Sequence, residues 1–150
     1  MKIVTACDED LKAKVRSVPE FLKKTNTVYS LDDLIEQMGG SFVAKPAVGI
    51  WYEGARRIDS DPNRRATTVE LVFSLFLLTE TSVLSKRIDT QTPSHVLLDN
   101  LRSHIQGTRA PTGHFWEFQL EAAAKQKGNL AVWVQRWTTN VPAIPTANSQ

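Results

Sequence analysis

A long run of strand-forming residues, TTVELVFSLFLLT over residues 67–79, constrains the fold of this chain more than any other segment. Its odd positions from 69 to 77 are all apolar, whereas its even positions mix polar side chains with Val72, Phe76 and Leu78. Successive side chains of a strand point to opposite faces of a sheet, so one face of this strand is predicted to lie in the core. We expect a helix or a neighbouring subunit to cover the half-apolar second face in part.

A shorter apolar run, PAVGIWY, precedes this strand and ends in an arginine-bearing segment, EGARRIDSDPNRRA. Pro46 can begin a strand but cannot occupy its centre, so a strand is predicted at residues 47–52. The arginine-bearing segment, at about residues 53–66, is predicted to be a protruding loop. Together the two strands and the loop predict the centre of a sheet that is interrupted by a projecting arm.

Apolar residues at helical spacing predict two helices before these strands. The first stripe spans residues 11–22, and a break is predicted at Pro19 because proline costs a helix interior about 3 kcal/mol. Ser30 is a suitable N-cap for the second helix, and Gly39 is a suitable end. Both helices are expected to pack on the sheet.

A third helix and two further strands follow the central strand. Thr92 can cap the helix, Pro93 suits its first position, and Gly107 ends it. Period-two alternation predicts a strand at residues 116–122, and a last strand at residues 130–138 closes the sheet.

The order of these elements predicts an α+β fold, with a mixed or antiparallel sheet of about four main strands flanked by helices. A chain of 150 residues with 41% hydrophobic residues forms one core, so a single domain is predicted at residues 1–140. Residues 141–150 contain two prolines and no periodicity, which predicts a tail that is loose or docks on a neighbour.

Charge and cysteine content exclude several classes of protein. The formal net charge of +2 is too small to predict nucleic-acid binding over the whole surface. The single cysteine, Cys7, excludes an internal disulfide, and no apolar run reaches membrane-spanning length. Because the first ten residues turn acidic too early for a signal peptide, we expect a cytosolic product.

The sequence predicts no catalytic, cofactor-binding or metal-binding residues, and we expect no enzymatic activity. No pair among His95, His104 and His114 has the spacing of a helical metal site. Acidic residues 8–10 are expected to raise the pKa of Cys7, which disfavours a nucleophilic thiolate. The remaining carboxylates are typical of first helical turns and a solvated strand face.

The tryptophans and arginines offer the remaining candidate sites. Core or interface packing is favoured over base stacking for the tryptophans, because only Arg136 lies between them. For the four arginines of the loop, three interpretations remain open: a solvated loop, a nucleic-acid contact, and an arm that pairs with carboxylates of an adjacent subunit. These arginines are Arg56, Arg57, Arg64 and Arg65.

The order and spacing of seven segments resemble the small tail terminator proteins of long-tailed bacteriophages, in particular the Mu-like and lambda-like groups. The resemblance covers roughly residues 8–139. The segments are DLKAKVRSVPEF, YSLDDLIEQM, KPAVGIWYEG, TTVELVFSLFLLT, SHVLLDNLRSHIQG, GHFWEFQLE and NLAVWVQRWTT. The resemblance implies a mixed sheet flanked by helices and a six-membered ring that caps the finished tail tube. It further implies that the ring joins the tail to head completion proteins in the virion.

The resemblance implies no catalytic residue and no cofactor, so the residues of interest are contacts with other chains. An arginine-lined channel would retain the phosphates of passing DNA, so the loop arginines are expected at subunit or tube contacts instead. The predicted interface residues are Arg56, Arg57, Arg64, Arg65, Val72 and Phe76. The alternative is a small nucleic-acid-binding regulator that uses the same arginine loop.

Overall fold

The computed structural model describes residues 2–21, 25–40, 45–58, 66–80 and 93–145 of the chain. These residues form a five-stranded sheet that carries helices on both faces. The elements along the chain are α1 (Ile3–Arg16), β1 (Thr25–Thr27), α2 (Leu31–Met38), β2 (Ala47–Arg57), β3 (Ala66–Glu80), α3 (Ser94–Ile105), β4 (Glu117–Lys127) and β5 (Leu130–Pro145).

The strands lie in the order β1-β2-β3-β5-β4. β1 is parallel to β2, and each of the other neighbouring pairs is antiparallel. The predicted α+β class, with a mixed sheet flanked by helices, is therefore confirmed. The sequence did not predict β1, because its three residues are all polar and carry no apolar alternation.

α1 and α3 cover one face of the sheet, here called the α1/α3 face, and the larger core lies between them and β3. The apolar odd positions of β3 lie on this face, as predicted, and Phe73 and Leu75 are at most 1% exposed. The helical residues buried here are Cys7, Leu11, Val15, Leu97, Leu98, Leu101 and Ile105. Burial of a large apolar side chain contributes about 1.5–3 kcal/mol, so this face supplies most of the folding free energy.

α2 covers part of the opposite face, here called the α2 face. The Ser30 hydroxyl caps this helix by accepting a hydrogen bond of 3.0 Å from the Asp33 amide, as the sequence predicted. Leu34 and Met38 of α2 pack in a second, smaller cluster with Phe76 of β3. The covering of the half-apolar second face is therefore partial and is supplied by a helix of the same chain.

The predicted helix ends are largely confirmed, but α1 begins at Ile3, well before the predicted stripe, so acidic residues 8–10 lie within the helix and not in its first turn. α1 ends at Arg16, and a short 3₁₀ turn begins at Pro19, where the break was predicted. Pro93 is the N-cap of α3 rather than its first helical residue, and the predicted cap Thr92 lies outside the described residues. Gly107 follows the helix with φ of 73°, a conformation that favours glycine.

Three strands differ from their predicted bounds. β2 continues past residue 52 to Arg57, because its backbone keeps pairing with β3 after a bulge between Tyr52 and Gly54. β5 continues to Pro145, so residues 141–145 belong to the sheet and not to the predicted tail. β4 begins at Glu117 and continues past the predicted residue 122 to Lys127. Residues 59–65 of the predicted loop lie outside the described residues. Backbone pairing, which polar side chains do not reveal, caused all three extensions.

Candidate subunit interface

The half of the α2 face that α2 leaves uncovered is polar. α2 has 8 residues, which span about 12 Å, whereas the 15 residues of β3 span about 50 Å. The helix therefore covers only the end of the sheet where Ala47, Leu78 and Val132 lie side by side. The remaining half of the face is open to solvent or to another molecule.

Two ion pairs cross this open half of the α2 face. Nε of Arg136 donates to Oε2 of Glu53 at 2.8 Å, and its Nη2 donates to Oε1 at 3.2 Å, which makes the pair bidentate. Nε of Arg56 donates to Oε1 of Glu70 at 2.7 Å across neighbouring strands. Because each guanidinium faces a carboxylate, this half of the face has balanced charge and offers no concentrated basic surface.

An open cavity of about 460 Å³ lies among these ion pairs. Val72 lines it at its β3 side, and Leu120 lines it from β4. The Gln119 amide donates a hydrogen bond of 2.8 Å to the Thr138 hydroxyl beside it. Glu53, Arg56 and Arg136 also line the cavity, so it combines apolar, hydrogen-bonding and ion-paired groups, a composition that suits a protein surface better than a phosphate.

β4 forms one edge of the sheet and pairs with β5 only among the described residues. Its residues 122–127 are all exposed, including three consecutive alanines and the two lysines Lys125 and Lys127. Register shifts at Phe118/Leu120 and at Ala123/Lys125 interrupt its pairing with β5. Bulges and lysines on an edge strand prevent indiscriminate pairing, so only a partner of suitable register fits this edge.

The structure places the predicted interface residues in different surroundings. Arg56 is the exposed partner of the largely buried Glu70, and Arg57 is the last residue of β2. Arg64 and Arg65 lie outside the described residues. Val72 is half-buried in the open half of the α2 face, where a partner could reach it.

Phe76 offers little surface for the predicted contact with another subunit while α2 is in place. Phe76 is only 5% exposed, because it lies in the cluster under α2 and stacks on Trp51 at a centroid distance of 6.0 Å. The alternation of the strand correctly placed Phe76 on the second face. It could not show that α2 returns to cover that position.

The tryptophans are mainly core residues. Trp116 and Trp137 are fully buried in the larger core, and the Trp116 indole donates a hydrogen bond of 2.8 Å to Asp10 of α1. Trp51 and Trp133 are half-buried. The prediction of core aromatics is therefore confirmed for Trp116 and Trp137.

The described residues provide no reactive thiol or metal cluster. Cys7 is fully buried, and burial together with the nearby Asp10 carboxylate raises the pKa of its thiol to about 11. The sequence predicted this direction from the acidic neighbours, but desolvation is the larger cause. His95, His104 and His114 are exposed, and no group of three metal-ligating side chains occurs among the described residues.

Sequence reasoning missed a buried polar network that fixes β4 and β5 to α3. The Gln135 amide, 1% exposed, donates to the Leu98 carbonyl at 3.0 Å and to Oε1 of Glu121 at 2.8 Å. Its carbonyl accepts a hydrogen bond of 3.2 Å from the Trp137 indole, while Arg102 of α3 also pairs with Oε1 of Glu121. The only sequence signal was a single glutamine within an otherwise apolar alternation.

No helix among the described residues combines the length and the apolar composition that crossing a membrane requires. In sequence comparisons, the chain matches no protein-family model and no curated protein. Its function must therefore be argued from its own residues, from the geometry above and from the resemblance of its segments.

Proposed function

We propose that this chain is a structural protein of a long-tailed bacteriophage, a tail terminator that forms a homohexameric ring. The ring caps the finished tail tube at its head-proximal end, stops its polymerisation and joins the tail to the head completion or connector protein. Genomic DNA passes through the ring without sequence-specific binding. The role is one of binding and assembly and includes no chemical reaction.

The observation that carries this proposal is that the sheet ends in two unlike, open edges. Among the described residues, β1 pairs with three residues of β2 and no strand lies beside β2 beyond Ile50, while β4 is the other edge. A closed ring of identical chains requires two different patches on each chain, since each copy contacts one neighbour with each patch. The order of the seven segments described above supports the same assignment.

The ion pair of Arg56 favours this proposal over a nucleic-acid-binding regulator. Glu70, whose side chain is 12% exposed, holds the Arg56 guanidinium at 2.6–2.7 Å. A phosphate would have to compete with this carboxylate, and separating the pair would leave the carboxylate largely buried without its partner. Arg56, which lies in β2, therefore suits a contact with protein better than a contact with DNA.

The decisive experiment measures assembly directly. Light scattering of the purified protein is expected to give a mass six times that of the 16.8 kDa chain. Adding the protein to tail tubes that lack a terminator should stop their elongation and place a ring at one end, as seen by electron microscopy. A strict monomer that also leaves the tubes uncapped would refute the proposal.

Reversal of Arg64 and Arg65 to glutamate separates the two functions. If these residues contact subunits or the tube, the R64E/R65E variant should lose ring formation or capping by at least tenfold in affinity, because the loss of two charge-assisted contacts costs about 1.5–3 kcal/mol each. Loss of salt-sensitive DNA binding with intact capping would instead support the regulator. Reversal of two exposed basic residues elsewhere, Lys2 and Arg109, to glutamate changes the net charge by the same amount and is the control.

A further inference from the structure

The open edge of β2 has a defined beginning and end. β1 pairs with β2 at residues 48–50, and the last backbone hydrogen bond on that side joins the Val28 amide to the Ile50 carbonyl at 2.9 Å. From residue 51 to Arg57, β2 has β3 on one side and no strand of the described chain on the other. Unpaired strand edges bind other strands readily, so this segment can accept a partner strand.

The open edge of β4 is limited in a similar way. At its start, the Phe118 amide donates to the side chain of Gln106 at 2.9 Å, which closes the edge there. At its end, residues 128 and 129 form the turn into β5. Beyond this contact and the bulge between Phe118 and Leu120, the last seven residues of β4, 121–127, equal the open part of β2 in number. Each segment contains a single bulge, at Glu53 in β2 and at Ala124 in β4.

Strand direction allows these two edges to meet in adjacent copies. β2, β3, β5 and β4 alternate in direction, so β2 runs opposite to β4. When a second copy is placed beside the first with the same face of the sheet directed inward, its β2 is antiparallel to β4 of the first. The sheet can therefore continue from one copy to the next without a change of orientation, as a ring requires.

Side-chain faces restrict this pairing to every second register. Arg57 lies opposite Val69 and Glu121 lies opposite Gln135, and both therefore project on the α1/α3 face. Pairing Arg57 with Glu121 keeps the faces aligned, whereas a shift by one residue would place every side chain on the wrong face. In the same register, Lys127 at the end of β4 lies opposite Trp51, directly beside residues 48–50 of β2, which pair with β1.

This register also pairs opposite charges and small side chains. Arg57 lies opposite Glu121, and Glu53 lies opposite Lys125. Between them, the three alanines 122–124 of β4 lie opposite Arg56, Ala55 and Gly54 of β2. Both described hydrogen bonds to the Glu121 carboxylate go to Oε1, so Oε2 accepts none from the described residues. A guanidinium has five donors, so the interaction that Arg57 already makes within the chain does not prevent a second one.

We propose that residues 51–57 of β2 pair antiparallel with residues 121–127 of β4 in the next copy, so that the sheet continues through the subunit interface. This inference rests on the proposed function, since a head-to-tail ring is the assembly that uses both edges once. It identifies the partner of the arginine-bearing end of β2 as the β4 edge of an adjacent copy.

Disulfide trapping tests the register. Ala55 and Ala123 are exposed and lie directly opposite each other in the proposed pairing, on the same face. Opposed antiparallel residues have Cα atoms about 4.5–5.5 Å apart, within the range of a disulfide. Under mild oxidation, the A55C/A123C variant should form a covalent ladder of chains that ends at the hexamer. The A55C/A122C variant is the matched control and should not, because residue 122 lies on the other face.

Mixing the single variants distinguishes the proposed contact from other pairings. A mixture of A55C and A123C chains should give one disulfide-linked dimer, while either variant alone should give none. Dimers of A123C alone would mean that β4 pairs with itself, and would overturn the inference. The buried Cys7 thiol is inaccessible to oxidation in this assay.

A second measurement uses the unmodified protein. A carbodiimide, which joins a carboxylate to an amine in contact, should link Glu53 of one copy to Lys125 of another, as detected by mass spectrometry of mixed isotope-labelled chains. Rings that cap tubes but form neither this link nor the disulfide would overturn the edge pairing and leave the proposed function standing. Chains that neither assemble nor cross-link at high concentration would overturn both.

Discussion

At the scale of single residues, buried polar groups determine how the helices sit on this sheet. The Asp10 carboxylate ties the Trp116 indole to α1, and the Gln135 amide ties the Leu98 carbonyl of α3 to β4. The Trp116 indole and the Gln135 amide both have acceptors, so these two groups avoid the cost of about 1–3 kcal/mol that an unpaired buried group incurs. Hydrogen bonds of this kind fix the orientation of α1 and α3 on the sheet, which apolar contacts alone specify less precisely.

The buried thiol of Cys7 makes the stability of the protein sensitive to alkaline pH. Burial raises the pKa of the thiol from 9.0 to about 11, so between these values the folded chain keeps a proton that the unfolded chain releases. The free energy of unfolding should therefore fall as pH rises above 9, by up to about 1.4 kcal/mol per pH unit. Urea denaturation at pH 8, 9, 10 and 11 measures this slope.

The Cys7→Ala variant is the control for this pH dependence. It should lose about 1 kcal/mol at neutral pH, because a buried sulfur is removed from the core. Its stability should then decline less steeply than that of the natural chain above pH 9. Parallel curves for the two proteins would show that another group causes the alkaline loss.

At the scale of elements, close contact between α2 and β2 depends on Gly49. A Cβ atom at this position would lie 2.6 Å from Cδ1 of Leu34 and 3.0 Å from both methyl carbons of Val28. These distances are shorter than van der Waals contact, so a larger residue would displace α2 from the sheet. The glycine thus sets how tightly the smaller core can close.

Substitution of Gly49 by alanine should destabilise the protein by about 1–3 kcal/mol, the usual cost of overpacking. Gly40→Ala is the matched control, because a Cβ atom there meets no atom within 4 Å, and it should change stability by less than about 0.5 kcal/mol. Thermal and urea denaturation compare the variants. If shortening Leu34 to alanine does not recover part of the loss in G49A, the contact with Leu34 is not its cause.

The sequence predicted those helices and strands in which the apolar residues of the pattern are also the buried residues of the fold. The odd positions of β3 and the stripes of α1 and α3 were predictable because alternation and helical spacing both reflect burial. The end of β2 at Arg57 and the three-residue β1 were not, because backbone pairing and polar side-chain contacts, neither of which leaves an apolar pattern, hold these segments in the sheet. Phe76 was assigned to an interface because periodicity identifies a face but does not reveal which element covers it.

At the scale of the whole molecule, the candidate interface comprises the two sheet edges and the open half of the α2 face. The ion pairs on this half, Arg136 with Glu53 and Arg56 with Glu70, balance its charge. A protein that surrounds passing DNA gains from such balance, since concentrated cations would retain phosphates. The formal net charge of only +2 is in keeping with that requirement.

The unequal covering of the two faces has a consequence for the motion of the chain. The cluster under α2 is smaller than the core under α1 and α3, and it shares with that core only the strands between them. α2 should therefore detach in a sub-global opening that costs less free energy than complete unfolding. Native-state amide exchange should show α2 amides opening at a lower free energy than those of α1 and α3, and equal values would contradict this. Each opening would expose Phe76 and Leu78 of β3, two apolar side chains that are buried while α2 is in place.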